Sequence, residues 1–243
     1  MIMVISKVIE NKIRLLPMET IFTINDLGLS SELWENIRVK LGRMVKKGSL
    51  KKVGKGRFYR PQNSMFGETH PNQEEIVKDL LVKDGKLIGY LTGYYRWNQM
   101  GLTSQISGMI QIATNNPKRN INRGIYSIKF IRQKNEITED NTKYLILLDA
   151  IGDIRKIPDT SIETSAVRLA EIIGNMKESE TATIISLALN YPARVRALLG
   201  LILENIGRGQ LSDRLINTLN PLTTYKYPGL TNVFTNSSKW HIK

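Results

Sequence analysis

The sequence predicts an α+β protein in two parts. A small basic unit of helices closed by a β-hairpin comes first. A mixed domain with a small β-sheet and a helical C-terminal half follows. Three observations predict this. The 243 residues are too many for one small module and comfortable for two domains. Apolar residues recur at helical spacing through the first fifty residues and again from Ser161 onward, with alternating stretches between. The charge is uneven: residues 1–62 hold 13 Lys+Arg against 5 Asp+Glu, while the whole chain carries +13.

The elements follow in order. Val4, Ile5, Val8, Ile9, Ile13, Leu15 and Leu16 give a first helix over 4–16, ended by Pro17. Thr23 and Asp26 have the spacing of a helix cap and its reciprocal acid, so a short second helix is expected over 24–28. Gly28 permits the turn that follows. Ser30 or Ser31 then caps a third helix, with Glu32 and Glu35 in its positive first turn. Leu33, Ile37, Leu41 and Met44 line its apolar face, joined by Trp34 and Val45, and Gly48 stops it. In SLKKVGKGRFYRP, Leu50 and Val53 alternate with lysines, Gly54–Gly56 makes a turn and Phe58 and Tyr59 return. Helix, short helix, turn, long helix and hairpin together read as a winged helix-turn-helix over 1–62.

In that arrangement the second helix of the pair enters the major groove of double-stranded DNA. Asn36, Lys40, Arg43 and Lys47 are read as its outward stripe, with Asn36, Lys40 and Arg43 facing bases. Ser31 at the helix start is grouped with them. Lys47 and the hairpin residues Lys51, Lys52, Lys55 and Arg57 are read as phosphate contacts. Arg38–Arg60 contains ten basic residues and no acidic one, which suits a polyanionic partner.

Residues 62–72 read as a linker into a second domain over 70–243. Helices are expected over 73–82 and 92–100, and strands over 109–113 and 124–132, the last pairing with 109–113 or with a segment near 120–122. Residues 143–151 are apolar enough for a buried helix or strand, with helix preferred, and helices follow near 161–175, 180–190, 192–206 and 211–219. Tyr225, Tyr227, Phe234 and Trp240 are expected to dock an irregular tail. Tyr94, Tyr95, Arg96 and Trp97, with the basic residues Lys118, Arg119 and Arg123, are candidates for a partner or second nucleic-acid surface, against an ordinary core role for the aromatics. Lys129 and Arg132 extend that basic cluster.

Catalytic chemistry finds little support. His70 and His241 stand alone, there is no cysteine, and no cofactor, nucleophile-elbow or zinc motif is present. Asp149 and Asp153 have the i, i+4 spacing of a metal pair on a helix, and a metal-dependent nuclease or phosphotransferase is the lesser alternative. The expectation is a non-enzyme with no metal and no cofactor. No apolar run is long enough to span a bilayer, and a cytoplasmic location without a membrane partner is expected.

Several phrases resemble the AbiEi-type antitoxins of type IV toxin–antitoxin systems and their uncharacterised bacterial relatives. They are KKGSLKKVGKGRFYRP, the block from Gly93 to Gln105 within IGYLTGYYRWNQMGLTSQISGMIQIATNNPKR, YPARVRALLG and LNPLTTYKYPG. The resemblance implies a repressor of its own operon that binds operator DNA through the winged helix. It also implies a second domain that counters a nucleotidyltransferase-like toxin in abortive infection. The long helical C-terminal region departs from the better-known members. A plain regulator whose second domain senses a ligand or dimerises is the main alternative.

Overall fold

A computed structural model describes residues 2–65 and 67–243, without the side chains of residues 2–4; Met1, Phe66 and the side chain of Val4, all within stretches read above, lie outside the described residues. The chain is α+β and divides into two compact units, residues 1–79 with 120–128, and residues 80–119 with 129–243.

The first unit opens with α1 (Ile2–Leu15), a 3₁₀ turn (Asn25–Leu27), a second 3₁₀ turn (Ser31–Leu33) and α2 (Trp34–Lys46). The expected short second helix is thus a single 3₁₀ turn, closed by Gly28 at φ 60°, a left-handed conformation that favours glycine. Asp26 accepts from the Thr23 backbone N–H at 2.6 Å and from its hydroxyl at 2.9 Å, which fixes the entry to that turn. On α1 the buried stripe is Ile9 and Ile13, flanked by Ile5 and Leu16; Val8 and Leu15, expected with them, are exposed. They sit one residue off the i, i+4 row and so face away from it.

The hairpin is β1 (Lys51–Gly54) and β2 (Arg57–Tyr59), antiparallel with Lys51 opposite Tyr59. Phe22 adds a third short rung: its N–H and C=O both bond Phe58, at 2.8 and 2.9 Å. Phe22, Phe58 and Leu50 therefore close the core over Ile37 and Leu41 of α2. A small ladder, β3 (Asn63–Ser64) with β4 (Gly67–Glu68), lies in the expected linker. Helix α3 (Gln73–Leu81) then returns to the same unit. Glu75 accepts from the Ile21 N–H at 2.6 Å and Lys78 donates to the Ile21 carbonyl at 2.9 Å. The hairpin of β9 (Ile121–Arg123) and the first part of β10 (Tyr126–Arg132) completes the unit.

The second unit begins with the small ladder β5 (Val82–Lys83) and β6 (Lys86–Leu87), then β7 (Gly89–Thr92), α4 (Tyr94–Gln99) and β8 (Met109–Thr114). β7 and β8 pair antiparallel, with Tyr90 opposite Ala113, and β10 continues on the other side of β8. So β10 pairs with both of the segments weighed from the sequence. Helix α5 (Glu139–Gly152) starts with a reciprocal cap between Thr138 and Asn141, and its Leu145 packs with Tyr90 and Ala113 of the sheet. Ser161 caps α6 (Ile162–Gly174), and α7 (Glu178–Ala188) and α8 (Ala193–Asn205) follow. Pro192 stands directly before α8, where a missing N–H costs nothing. Leu198, Leu199, Leu201, Ile202 and Leu203 are all buried, so α8 is the central helix of this core.

After the short α9 (Asp213–Ile216) and α10 (Leu230–Val233) the tail folds back. The Tyr225 N–H donates to the His241 carbonyl and the Lys243 N–H to the Tyr225 carbonyl, and Tyr227, Phe234 and Trp240 are buried. Trp240 lies on Gly200 of α8 and donates its indole N–H to Glu204 at 2.7 Å.

Candidate nucleic-acid interface

The basic block of the sequence is gathered on α2, its flank and the hairpin. The direction each residue faces follows from helical geometry. The core face of α2 is Ile37, Leu41 and Met44. Taking the mean of Ile37 and Leu41 as the core direction, Lys40 lies about 80° away, Asn36 about 120° and Arg43 about 140°. Val39 and Lys46, at about 180° and 160°, form the outer face, with Glu35 and Gly42 at its edges about 140° and 120° away. Val39 is 46% exposed and nothing stands within 4 Å of a Cβ placed on Gly42. Arg38 and Lys46 are exposed beside them. Of the stripe expected from the sequence, Asn36, Arg43 and Lys47 are exposed and Lys40 is turned to the flank. The apolar spacing that located the helix also contained this correction.

The flank faces α1. Lys40 is half-buried and bonds the carboxylate of Glu10, which it holds below the usual carboxylate range. Arg14, Arg43, Lys47 and Arg60 line the same groove of about 540 Å³ with Glu10 and Lys40. Arg60 donates to the Arg14 and Leu16 carbonyls at 2.9 Å each, so it caps the end of α1. Arg14 and Arg60 escaped the sequence reading because only the fold brings them to α2.

Ser31, Asn36, Arg43, Lys47 and Lys55 are exposed, and among the described residues none of these last three cations forms an ion pair. Lys52 is exposed above the ring of Phe58 at 5.6 Å. Lys51 pairs with Glu68 at 2.8 Å, which raises its pKa. Arg57 is tied to Asp79 at 2.6 Å. Asp79 also takes both arms of Arg123, at 2.5 and 2.8 Å. Burial pushes that carboxyl up, but the two guanidinium groups together hold it below its ordinary value.

Two of the second-surface candidates are corrected. Arg123 is 6% exposed and turned inward, with a further bond to the Ile76 carbonyl at 2.6 Å; a bidentate carboxylate inside the unit holds it there. Trp97 is 2% exposed within the apolar core of the second unit and cannot offer a stacking face. Tyr94 packs against Trp97, and Arg96 lies over the ring of Tyr95 and bonds Gln99 at 2.6 Å. Lys118 and Arg119 are exposed, in the other unit from Arg123.

The carboxylate pair on α5 is also separated by its surroundings. Asp149 accepts from the hydroxyls of Tyr191, Tyr90 and Thr92 at 2.7, 2.8 and 2.9 Å. The Gln133 amide donates one hydrogen to each tyrosine, at 2.8 and 2.7 Å, so both phenols are directed toward the carboxylate. Asp153 instead pairs with Lys156 at 2.6 Å. Among the described residues no group of three or more His, Cys, Asp or Glu is placed to hold a metal ion. His70 accepts or donates at 3.1 Å to Tyr59, a packing role.

Burial pushes Asp149 up to about 6 against the pull of its three hydroxyl donors. The sign of the linkage is then fixed. Between the ordinary carboxylate range near 4 and pH 6 the folded chain keeps a proton that the unfolded chain has lost, so stability falls as pH rises through that window and levels above it. The expected size is about 3 kcal/mol. Urea unfolding of Asp149→Asn and of the natural chain between pH 4 and 7 should give profiles that differ by this slope; parallel profiles would contradict it.

A two-unit α+β chain with a basic helix-and-hairpin unit is thus the class that the fold defines. The chain belongs to a family of unknown function, DUF6088, whose pattern matches residues 8–180. The solved structure of the RV2827C protein from Mycobacterium tuberculosis is similar over 98% of this chain and 89% of that one, with a TM-score of 0.62 and 13% identity, and so shares the fold. No curated protein matches the sequence. No described helix is long and apolar enough to cross a membrane.

Proposed function

We propose that the first unit is a winged helix-turn-helix that binds double-stranded DNA and that the protein represses its own operon as an antitoxin. The observation that carries the DNA reading is the outer face of α2, where Val39, Arg43 and Lys46 project with Asn36 and Gly42 at its edges, next to the exposed cations of the hairpin. An α-helix fits the major groove, arginine pairs with guanine through two hydrogen bonds, and a residue without a side chain lets the backbone approach. Lys47, Arg14, Lys52 and Lys55 then meet phosphates on either side. This takes base reading away from Lys40 and keeps Asn36 and Arg43.

The antitoxin half of the proposal is supported by the phrases from Gly93 to Gln105 and in the C-terminal region that resemble AbiEi-type proteins. It is tested by growth of cells that express a nucleotidyltransferase-like protein encoded beside it, with and without the full chain. The full chain should relieve the growth arrest. Arrest that the full chain does not relieve would leave a repressor without the antitoxin role.

The hairpin tip gives a separate expectation. Lys55→Ala removes one phosphate contact, so it should weaken binding to every duplex alike. It should lower the slope of log affinity against log salt by about 0.9. A loss confined to one DNA sequence would place Lys55 on a base.

A further inference from the structure

We propose that the cavity beside Asp149 in the second unit binds a small zwitterion of the free amino-acid class, with its ammonium on the Asp149 carboxylate and its carboxylate on the cations of the rim. The inference does not depend on the DNA reading.

The cavity measures about 220 Å³. It would hold on the order of seven waters at about 30 Å³ each, the scale of an amino acid and too small for a nucleotide. Its lining carries both signs of charge. Asp149 contributes a carboxylate that no cation of the protein neutralises: its partners are three neutral hydroxyls. Those hydroxyls have fixed directions. Each of Tyr90 and Tyr191 accepts from Gln133 and has one hydrogen to give, so the network is built to present an acceptor. A buried anion satisfied by neutral donors alone gains most from a cationic donor that arrives with a ligand.

The rim supplies the opposite sign. Arg132, Lys134 and Arg194 line the same cavity and are exposed, and among the described residues none of them forms an ion pair. Arg194 makes only a long bond to the Gly152 carbonyl, at 3.5 Å. Asp153, the other carboxylate of the lining, is already paired with Lys156. A simple anion would meet Asp149, and a simple cation would meet the rim. A molecule with both charges matches both. Val195 and Pro192 in the lining offer the apolar wall that an amino-acid side chain would use. The cage of hydroxyls and the cationic rim point to an organic ligand.

The test is calorimetric titration of the full chain with each of the twenty free amino acids. At least one should bind saturably. Its N-acetyl derivative and its methyl ester, which each remove one of the two charges, should each bind about tenfold or more weakly. Arg194→Ala, at the exposed rim, should weaken the free amino acid about tenfold and leave the circular dichroism spectrum unchanged. Asp149→Asn should weaken it at least as much, and the ligand derivatives decide the matter if that variant does not fold. Absence of binding by all twenty, or a bound amino acid indifferent to N-acetylation and to Arg194→Ala, would overturn the proposal.

Discussion

Gly200→Ala will destabilise the second unit by about 3 kcal/mol, although alanine is the better helix former. A Cβ at this position would lie 2.0 Å from Cζ3 and 2.2 Å from Cη2 of Trp240, deep inside van der Waals contact. The ring has nowhere to go. Trp240 is fully buried, its indole N–H is committed to Glu204, and Tyr225 and Tyr227 lock the neighbouring strand of the tail by backbone bonds to His241 and Lys243. The added methyl therefore either strains α8 or expels the tryptophan, and expulsion costs what Trp240→Ala costs, about 3–5 kcal/mol. A double-mutant cycle separates this from simple helix propensity. In the Trp240→Ala background the clash is gone, and Gly200→Ala should then stabilise by up to about 1 kcal/mol. Denaturant unfolding of the four chains gives the answer. A stabilising Gly200→Ala in the natural chain would show that the tail is not docked as described.

The second large effect is expected on the outer face of α2. Arg43→Ala and Lys46→Ala should each weaken binding to the operator by about 1–3 kcal/mol. Arg38 follows the core residue Ile37 by one position, so its direction is the flank and Arg38→Ala should matter less. Lys40→Ala should act through Glu10, whose carboxylate would be left without its partner in a groove lined by Arg14, Arg43, Lys47 and Arg60. The double variant Glu10→Ala, Lys40→Ala should recover most of that loss. Equal losses for Arg43→Ala and Arg38→Ala would place base reading on the flank.

The elements of this chain were legible in the sequence because local signals suffice for them. The i, i+4 rows gave α1, α2 and α6 to α8 within a few residues, the apolar run at 143–151 fitted helix or strand and proved to be α5, Ser161 marked the start of α6, and the alternation of YSIKFIR gave β10. What was not legible depends on contacts distant in sequence. Nothing local in EEIVKD or in the hairpin at 121–128 says that they join the first unit. That follows from Asp79, which collects Arg57 and Arg123, and from Glu75 and Lys78, which hold Ile21 by its backbone. Arg123 counted as a surface cation for the same reason. Asp149 was legible as one of a pair at helical spacing, but its partners are residues 90, 92 and 191, with residue 133 behind the two tyrosines, and only the fold assembles them. Lys40 on α2 is a different kind of miss: Ile37 and Leu41 already place it on the flank beside α1.

The central claim is that the first unit recognises double-stranded DNA by sequence. Fluorescence anisotropy of the full chain tests it, with a labelled duplex from upstream of its own gene, a scrambled duplex of equal length and composition, and a matching single strand, all at about 150 mM salt. The account expects saturable binding to the upstream duplex about a thousandfold or more tighter than to the scrambled one, with an affinity that falls linearly on a log–log plot against salt. Equal affinity for all three nucleic acids, or no binding at low salt, would contradict it.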